Sequence, residues 1–216
     1  MGRRFGSAPR DLAGAARWLA SGGVLAIPTE TFYGLAVDPR DAAAVAALRR
    51  LKGRPPGEGL PLVAADPLQV ERCAPGWDAD RRVRALAARF WPGPLSLVLA
   101  VAGDLARGVA AADGTVAVRI TAHPVARDLC RTFGGAIVAT SANRRGEPPA
   151  VEAEAVAAAF GDEPRIAVLD AGPVTGGRPS TLVRIAPSGD VLVLREGAVE
   201  RREIDAALGR AGPRGR

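Results

Sequence analysis

Short apolar runs alternate with amphipathic stretches along most of the 216 residues, and this alternation limits the folds that the chain can adopt. Short apolar runs bounded by Gly, Pro or Asp are typical of buried strands, whereas a period near 3.6 residues is typical of helices. Strands are predicted over residues 24–27, 33–37, 62–64, 95–101, 116–120, 136–140, 166–169, 181–185 and 191–194. Helices are predicted over residues 11–20, 41–51, 78–90, 124–132 and 151–160.

Strands interleaved with helices predict an α/β layered fold in which helices flank a twisted sheet. Some connections are too short to contain a crossover helix, so we expect a mixed sheet with both parallel and antiparallel neighbours. Asp41 and Asp78 lie near the start of two helical segments, where a carboxylate can cap the free N–H groups. No repeat, linker or shift in composition divides the chain, so we expect one domain over residues 10–205.

The basic charge is concentrated at the two ends of the chain. The formal net charge is +6, and residues 1–10 and 209–216 each contain three arginines and no acidic residue. The body between them is therefore formally neutral, which weakens the case for a nucleic-acid-binding protein. We expect residues 1–9 and 209–216 to be flexible basic tails, either solvated or in non-specific contact with RNA or anionic surfaces.

The scarcity of His and Cys excludes several kinds of site. The single histidine, His123, cannot form a His-Glu-x-x-His zinc site, and Cys73 and Cys130 are too few for a structural zinc centre. Two isolated cysteines are typical of reduced thiols in the cytosol. No apolar run reaches the roughly 18 residues of a membrane span. The sequence therefore predicts a cytoplasmic protein without metal ligands and without a membrane partner.

Two polar clusters in the first third of the chain are candidate ligand sites. Residues 28–35, Pro-Thr-Glu-Thr-Phe-Tyr-Gly-Leu, combine hydroxyls, a carboxylate and a phenol, and form either a small-molecule site or a turn with satisfied hydroxyls. Lys52 and Arg54 lie on a Gly/Pro loop that suits an anionic ligand such as a triphosphate, or else a solvated loop. Lys52 lacks the glycine spacing and the following Ser or Thr of a Walker A loop.

A third and a fourth cluster follow later strands. Arg119 belongs to an apolar strand, where burial is costly without a carboxylate or phosphate partner, so we expect it to face a ligand rather than a protein carboxylate. His123 precedes Pro124 at a predicted helix start, where a structural hydrogen bond is expected rather than catalysis. Residues 140–143, Thr-Ser-Ala-Asn, offer hydroxyl, amide and N–H groups to a phosphate or nucleoside, or form a capped turn.

In this order the motifs resemble the YrdC-like threonylcarbamoyl-AMP synthase family, in its single-domain form, over roughly residues 10–200. The matching segments are PTETFYGL at 28–35, KGRP at 52–55, PGPLS at 92–96, TVAVRITAHP at 115–124, TSAN at 140–143, STLV at 180–183 and REG at 195–197. Three positions depart from the common family pattern: Thr121, Arg145 and Arg184.

The resemblance implies a reaction that composition alone does not. Members of the family make L-threonylcarbamoyladenylate and pyrophosphate from L-threonine, bicarbonate and ATP, a nucleotidyl transfer that leads to the t6A base at position 37 of tRNA. ATP would be a substrate accompanied by Mg2+, and a downstream threonylcarbamoyl transferase machinery would use the product. Direct contact with tRNA or double-stranded RNA is a further partner prediction.

The resemblance also implies roles for ten residues. Thr29, Arg119 and the backbone of Ala139 would hold L-threonine, with Arg119 on its carboxylate. Contacts to ATP would come from Lys52, Arg54, Thr115, Ser141, Asn143, Ser180 and Arg195. Lys52 and Arg54 would meet the phosphates and act as catalytic residues.

Two other functions remain open from the sequence. One is a related domain that forms a carbamoyl adenylate from carbamoyl phosphate, although such domains normally belong to much longer chains. The other is a module that binds tRNA or double-stranded RNA, which the neutral body and an aromatic content of 4% weaken.

Overall fold

The computed structural model describes residues 3–209 as a ten-stranded sheet flanked by helices. The strands are β1 (Arg4–Phe5), β2 (Val24–Ile27), β3 (Gly34–Val37), β4 (Leu62–Ala64), β5 (Leu95–Ala100), β6 (Thr115–Ile120), β7 (Ile137–Ser141), β8 (Ile166–Leu169), β9 (Thr181–Ile185) and β10 (Val191–Arg195). The helices are α1 (Pro9–Ala20), α2 (Ala42–Lys52), α3 (Pro67–Cys73), α4 (Arg81–Phe90), α5 (Pro124–Phe133), α6 (Ala153–Phe160) and α7 (Arg201–Ala207).

The spatial order of the strands is β1-β8-β2-β3-β7-β4-β6-β5-β9-β10. The pairs β1/β8, β2/β8, β4/β6 and β5/β9 are parallel, and the remaining pairs are antiparallel. This topology confirms the predicted mixed sheet with flanking helices. It also brings β6 and β7, which carry two of the predicted clusters, to the middle of the sheet on either side of β4.

Both faces of the central strands are covered. In β2, Val24 and Ala26 belong to one apolar cluster, whereas Leu25 and Ile27 belong to the cluster on the opposite face. All four side chains are buried, which explains why the segment is continuously apolar instead of alternating with polar residues. The α1 and α5 helices pack against each other on the second face.

Local sequence signals explain where the helix before the Lys-x-Arg loop begins and ends. Asp41 accepts hydrogen bonds from the N–H groups of Ala43 and Ala44, as predicted. The α2 helix ends at Gly53, whose φ of 57° is the left-handed conformation that glycine adopts at low cost. Lys52 is therefore the last residue of the helix, and Arg54 lies outside the helix, directly after the C-cap glycine.

Several predicted boundaries were wrong. The cap of α4 is Asp80 instead of Asp78, because the carboxylate of Asp80 accepts the N–H of Arg82. The α3 and α7 helices are only seven residues each and were not predicted. Their two turns are too short to show a clear helical period.

The predicted N-terminal tail over residues 1–9 is also wrong where the structure describes it. Arg4 and Phe5 form β1, which pairs in parallel with β8, and α1 begins at Pro9. Phe5 is 7% exposed, and Arg4 forms ion pairs with Glu154 and Asp170, so packing and charge both hold this segment. Residues 1–2 and 210–216, and with them most of the predicted C-terminal tail, lie outside the described residues. Within residues 3–209, no helix has both the length and the apolar character needed to cross a membrane.

Candidate functional site

An open cleft of about 870 Å³ lies on one face of the sheet. Alternate residues of several strands line its floor, among them Ala117 and Arg119 of β6 and Leu182 and Arg184 of β9. Residues two apart on a strand share a face, so these strands present one continuous surface to the cleft. The floor therefore has the rigidity of a paired sheet.

The cleft is strongly cationic. Its lining residues include four arginines, namely Arg54, Arg119, Arg184 and Arg195, and a single carboxylate, Asp113. Burial lowers the pKa of Arg195, and the positive charges of Arg119 and Arg54 lower it further. Burial and the charge of Arg49 likewise lower the pKa of Arg54. Such an arrangement suits a ligand with several negative charges.

The structure brings nine of the ten predicted site residues to this cleft. They are Thr29, Arg54, Thr115, Arg119, Ala139, Ser141, Asn143, Ser180 and Arg195. The tenth, Lys52, is not part of the lining. Nine of the ten residues therefore border one space, and the contacts of all ten with ligands stay predictions.

Lys52 is 9% exposed and points toward the loop that follows β7. Its Nζ donates to the carbonyl of Ser141 at 2.9 Å, to the carbonyl of Asn143, and to Oδ1 of Asn143 at 2.8 Å. An ammonium group has three hydrogens, so these three acceptors saturate it. Burial and the positive charge of Arg54 lower the pKa of Lys52 to about 8.

Arg54 approaches the cleft from the loop that follows α2. Its Nη1 donates to the carbonyl of Gly59 at 2.9 Å, and its Nη2 lies 3.4 Å from Oγ1 of Thr140. The nearest carboxylate, that of Glu58, is 3.8 Å away and is 57% exposed. Arg54 is thus held mainly by neutral acceptors, and most of its positive charge is available to a ligand.

Arg119 is held differently, by a buried carboxylate. Its Nε lies 3.0 Å from Oε1 of Glu30, and the two side chains are 10% and 12% exposed. The expectation that Arg119 faces a ligand instead of a protein carboxylate is therefore only half right, because it does both. Within residues 3–209 its two Nη groups donate no hydrogen bond, and the residue lines the cleft.

The loop between β2 and β3 shapes the same end of the cleft. Thr29 is 2% exposed, and its hydroxyl donates to the carbonyl of Phe32 at 2.7 Å and lies 3.3 Å from the hydroxyl of Thr31. The alternative of a turn with satisfied hydroxyls is thus correct for Thr29, and the turn also borders the cleft. Tyr33 is buried behind it, and its phenol donates to the carbonyl of Gly172 at 2.8 Å.

The loop after β7 is a small hydrogen-bonded network. Oδ1 of Asn143 accepts the hydroxyl of Ser141 at 2.7 Å in addition to Lys52, and Nδ2 donates to the carbonyl of Glu147 at 2.6 Å. Ala139 lies earlier in β7 and donates its N–H to the carbonyl of Pro61 at 2.9 Å. This N–H is therefore already engaged in the sheet, which limits the backbone of Ala139 to other contacts.

The opposite wall is built from the start of β9 and the end of β10. Arg195 donates through Nε and Nη2 to the carbonyl of Ser180, and the hydroxyl of Ser180 lies 3.1 Å from that of Ser96. At the rim, Arg184 donates to Asp113 at 2.7 Å, and Asp113 also accepts the hydroxyl of Thr115 at 2.6 Å. These contacts fix the wall before any ligand arrives.

Sequence reasoning did not select Glu30, Ser96, Asp113 or Arg184 as site residues. The first three contact predicted site residues, and Arg184 contacts Asp113. Glu30 and Ser96 lie inside quoted motifs, so their membership of a motif was the available signal. His123 was expected to make a structural hydrogen bond, but its buried Nδ1 has no hydrogen-bond partner among residues 3–209. Nor does this part of the chain contain three or more His, Cys, Asp or Glu side chains grouped to hold a metal ion.

The protein has a mixed sheet flanked by helices, and arginines line its cleft beside the loop that Lys52 holds. These features define an α/β protein with a binding site for a small polyanion. The family model of the Sua5/YciO/YrdC domain, described as "Telomere recombination", matches residues 17–197. The chain therefore belongs to the Sua5/YciO/YrdC family.

Relatives within this family are similar over most of the chain. A protein of Alkalilimnicola ehrlichii named threonylcarbamoyl-AMP synthase is 46% identical over 81% of this chain and 90% of its own length. One of the same name from Chromohalobacter salexigens is 42% identical over 84% of this chain and 95% of its own length. The crystal structure of P. abyssi Sua5 complexed with L-threonine superposes with a TM-score of 0.87 at 32% identity. It covers 97% of this chain, which spans only 61% of the length of that protein.

Proposed function

We propose that the protein is an L-threonylcarbamoyladenylate synthase, which forms threonylcarbamoyl-AMP and pyrophosphate from L-threonine, bicarbonate and ATP. The observation that carries this proposal is the cleft, in which the Nη edge of Arg119 at one end and the weakly compensated guanidinium groups of Arg54 and Arg195 at the other face one space. The names of the relatives, and the L-threonine bound to the P. abyssi protein, support the same assignment.

Arg119 is proposed to bind the carboxylate of L-threonine. Its two Nη groups offer parallel N–H donors, the geometry that matches a carboxylate in a bidentate pair. Glu30 compensates most of the charge of Arg119, so this end suits an amino acid of zero net charge better than a polyanion. Thr29 and the backbone near Ala139 would border the rest of the amino acid.

The other end is proposed to bind ATP. Arg54 carries a charge that is balanced only by a distant exposed carboxylate, and Arg195 and Ser180 form the facing wall. Lys52 would reach a phosphate only by exchanging one of its three acceptors on the loop after β7. Ser141, Asn143 and Thr115 would then contact the nucleotide from the loop and the rim.

The chemistry assigned to this site is a nucleotidyl transfer. The amine of threonine adds to bicarbonate with loss of water, which forms a carbamate. A carbamate oxygen then attacks the α-phosphorus of ATP, and the bond to the β-phosphate oxygen breaks as pyrophosphate leaves. The protein contributes positioning and neutralisation of the negative charges, because the lining offers cations and hydroxyls but no Ser-His-Asp triad.

Mg2+ is proposed to enter with the triphosphate instead of binding to a protein cage. Asp113 is the single carboxylate among the lining residues, and its oxygens already bind Thr115 and Arg184. Such an arrangement fits Mg2+ that is held mainly by phosphate oxygens and water.

The proposed place of this activity is the cytoplasm, in the synthesis of the t6A base of tRNA, with a threonylcarbamoyl transferase machinery consuming the product. Direct binding of tRNA or double-stranded RNA stays a separate prediction. Formation of a carbamoyl adenylate from carbamoyl phosphate is the competing chemistry.

One assay separates these functions. The protein is incubated with ATP and bicarbonate, together with either L-threonine or carbamoyl phosphate, and pyrophosphate release is followed. Release that requires both L-threonine and bicarbonate supports the proposal, whereas release with carbamoyl phosphate alone favours the competing chemistry. Absence of release with either, together with salt-sensitive tRNA binding, would favour an RNA-binding module.

A further inference from the structure

The carboxylate that holds Arg119 is itself held by one hydroxyl. Oγ1 of Thr121 donates to Oε2 of Glu30 at 2.5 Å, and the residue is fully buried. The same Oγ1 accepts the backbone N–H of His123 at 3.2 Å, which orients the hydroxyl hydrogen toward Glu30. Among residues 3–209, Thr121 is the one group that donates a hydrogen bond to this carboxylate.

The arrangement depends on the spacing of two residues at the end of β6. Arg119 and Thr121 are two positions apart, so both can reach the same side of the strand. Glu30 arrives from the loop between β2 and β3, and its two carboxylate oxygens divide between these residues. Oε1 contacts Arg119 through Nε, and Oε2 is occupied by Thr121.

This division leaves the Nη groups of Arg119 free. A carboxylate with both oxygens available tends to pair with a guanidinium in a bidentate manner, which uses two of its N–H groups. Here Nε and Oε1 lie 3.0 Å apart without the alignment of a hydrogen bond, since neither atom has a hydrogen-bond partner. Thr121 thus keeps Glu30 in a partial contact that does not extend to the Nη edge facing the cleft.

We propose that Thr121 is a positioning residue that stops Glu30 from competing with the substrate carboxylate for Arg119. The proposal rests on the assignment of Arg119 to the amino-acid substrate. Removing the hydroxyl frees Oε2, and Glu30 then turns to pair with the Nη edge of Arg119. The affinity for the amino acid falls, while the nucleotide end of the cleft is unaffected.

The test compares Thr121→Val, which removes the hydroxyl at nearly constant volume, with Thr121→Ser, which keeps it. Thr121→Val should raise KM for L-threonine by at least about fivefold, with kcat and KM for ATP within about twofold of the wild type. Thr121→Ser should restore KM to within about twofold. Binding of L-threonine measured by calorimetry should follow KM in each variant.

Two further variants separate positioning from a merely structural role. Thr181 is also fully buried, and its hydroxyl donates to the carbonyl of Val199 at 2.6 Å. Thr181→Val should lower the melting temperature without raising KM for L-threonine. In a Glu30→Gln background, Thr121→Val should change KM by less than about twofold, because an amide cannot form the competing ion pair.

An unchanged KM in Thr121→Val, an equal rise in KM for both substrates, or no rescue by Thr121→Ser would overturn the proposal. If Thr121→Val does not fold, Thr121→Ala is used in its place with the same expectations. Lack of threonine-dependent turnover in the wild type would instead contradict the proposed function. The ratio of the dissociation constants of L-threonine for the variant and the wild type, measured by calorimetry, would still decide the role of Thr121 in amino-acid binding.

Discussion

The two ends of the cleft hold their cations in opposite ways. Arg119 faces a buried carboxylate, so the pair with Glu30 is close to neutral and only its outer edge is available. Lys52 and Arg54 are held by carbonyl, amide and hydroxyl oxygens, which orient them without cancelling their charge. One end therefore suits a single carboxylate on a neutral amino acid, and the other suits a triphosphate. Whether a cation is held by a charged or a neutral acceptor therefore determines which ligand that cation can bind.

The largest effect is expected at the neutral end. Arg119→Gln removes the paired donors and leaves the buried Glu30 carboxylate without its cation, so kcat/KM for L-threonine should fall by about 100-fold or more. KM for ATP should change little, because the contacts of Arg54 and Arg195 remain. Arg131→Gln, an exposed arginine paired with Asp128 on α5, is the matched control. Equal losses for both substrates would argue against a division of the cleft into two ends.

A smaller effect is expected from a change that keeps the charge at the other end. Lys52→Arg should lower kcat by roughly tenfold, because a planar guanidinium cannot satisfy the three acceptors that now surround the ammonium and would displace the loop. The exposed Arg50 on the same helix gives the control Arg50→Lys. Wild-type turnover in Lys52→Arg would show that charge alone matters at this position.

The pH dependence of kcat/KM for ATP also distinguishes the two ends, because Lys52 belongs to only one of them. The pKa of Lys52 is lowered to about 8, so the ammonium loses its proton as the pH rises through that value. The neutral amine has two hydrogens for three acceptors and no charge for a phosphate. The wild-type kcat/KM for ATP should therefore decline above about pH 8.

Lys52→Arg provides the control for that decline, because an arginine stays protonated throughout this range. The ratio of the variant's kcat/KM to that of the wild type should rise between about pH 7 and pH 9. A constant ratio would mean that Lys52 does not titrate in the working enzyme, or that its charge is not used.

The smallest effect is expected at Glu58, the carboxylate nearest to Arg54. Their 3.8 Å separation and the 57% exposure of Glu58 describe a surface pair worth less than about 1 kcal/mol. Glu58→Gln should change KM for ATP by less than about twofold in assays at 0.15 M salt. A rise or fall of tenfold would show that Arg54 is compensated after all, and that the two ends are more alike than their contacts indicate.

Much of the fold followed from local pattern, and the exceptions have a common cause. Continuous apolar runs such as residues 24–27 located the buried strands, and Asp41 marked the start of α2. The two-residue strand β1 and the seven-residue helices α3 and α7 were missed. Their stability comes from contacts with distant parts of the chain, which carry no local period.

The candidate site was predictable as a set of motifs but not as a set of contacts. The residue types in the motifs already implied hydroxyls, arginines and one lysine around an anion. The position of Lys52 was not implied, since a lysine at the end of a helix can turn either way. Its acceptors are some 90 residues away along the chain, on the loop after β7.

The sequence by itself therefore determined the layered α/β class, the central strands and the chemical inventory of the cleft. Tertiary structure alone decided which of those side chains pair with one another and which keep an uncompensated charge. Glu30 precedes β3, and Arg119 lies on β6, three strands and about 14 Å further along the sheet. Strand order and the path of the β2–β3 loop bring the two side chains to 3.0 Å, and no local pattern encodes that meeting. Local patterns report the burial and period of a segment, whereas the charge balance of a site depends on which segments pack together.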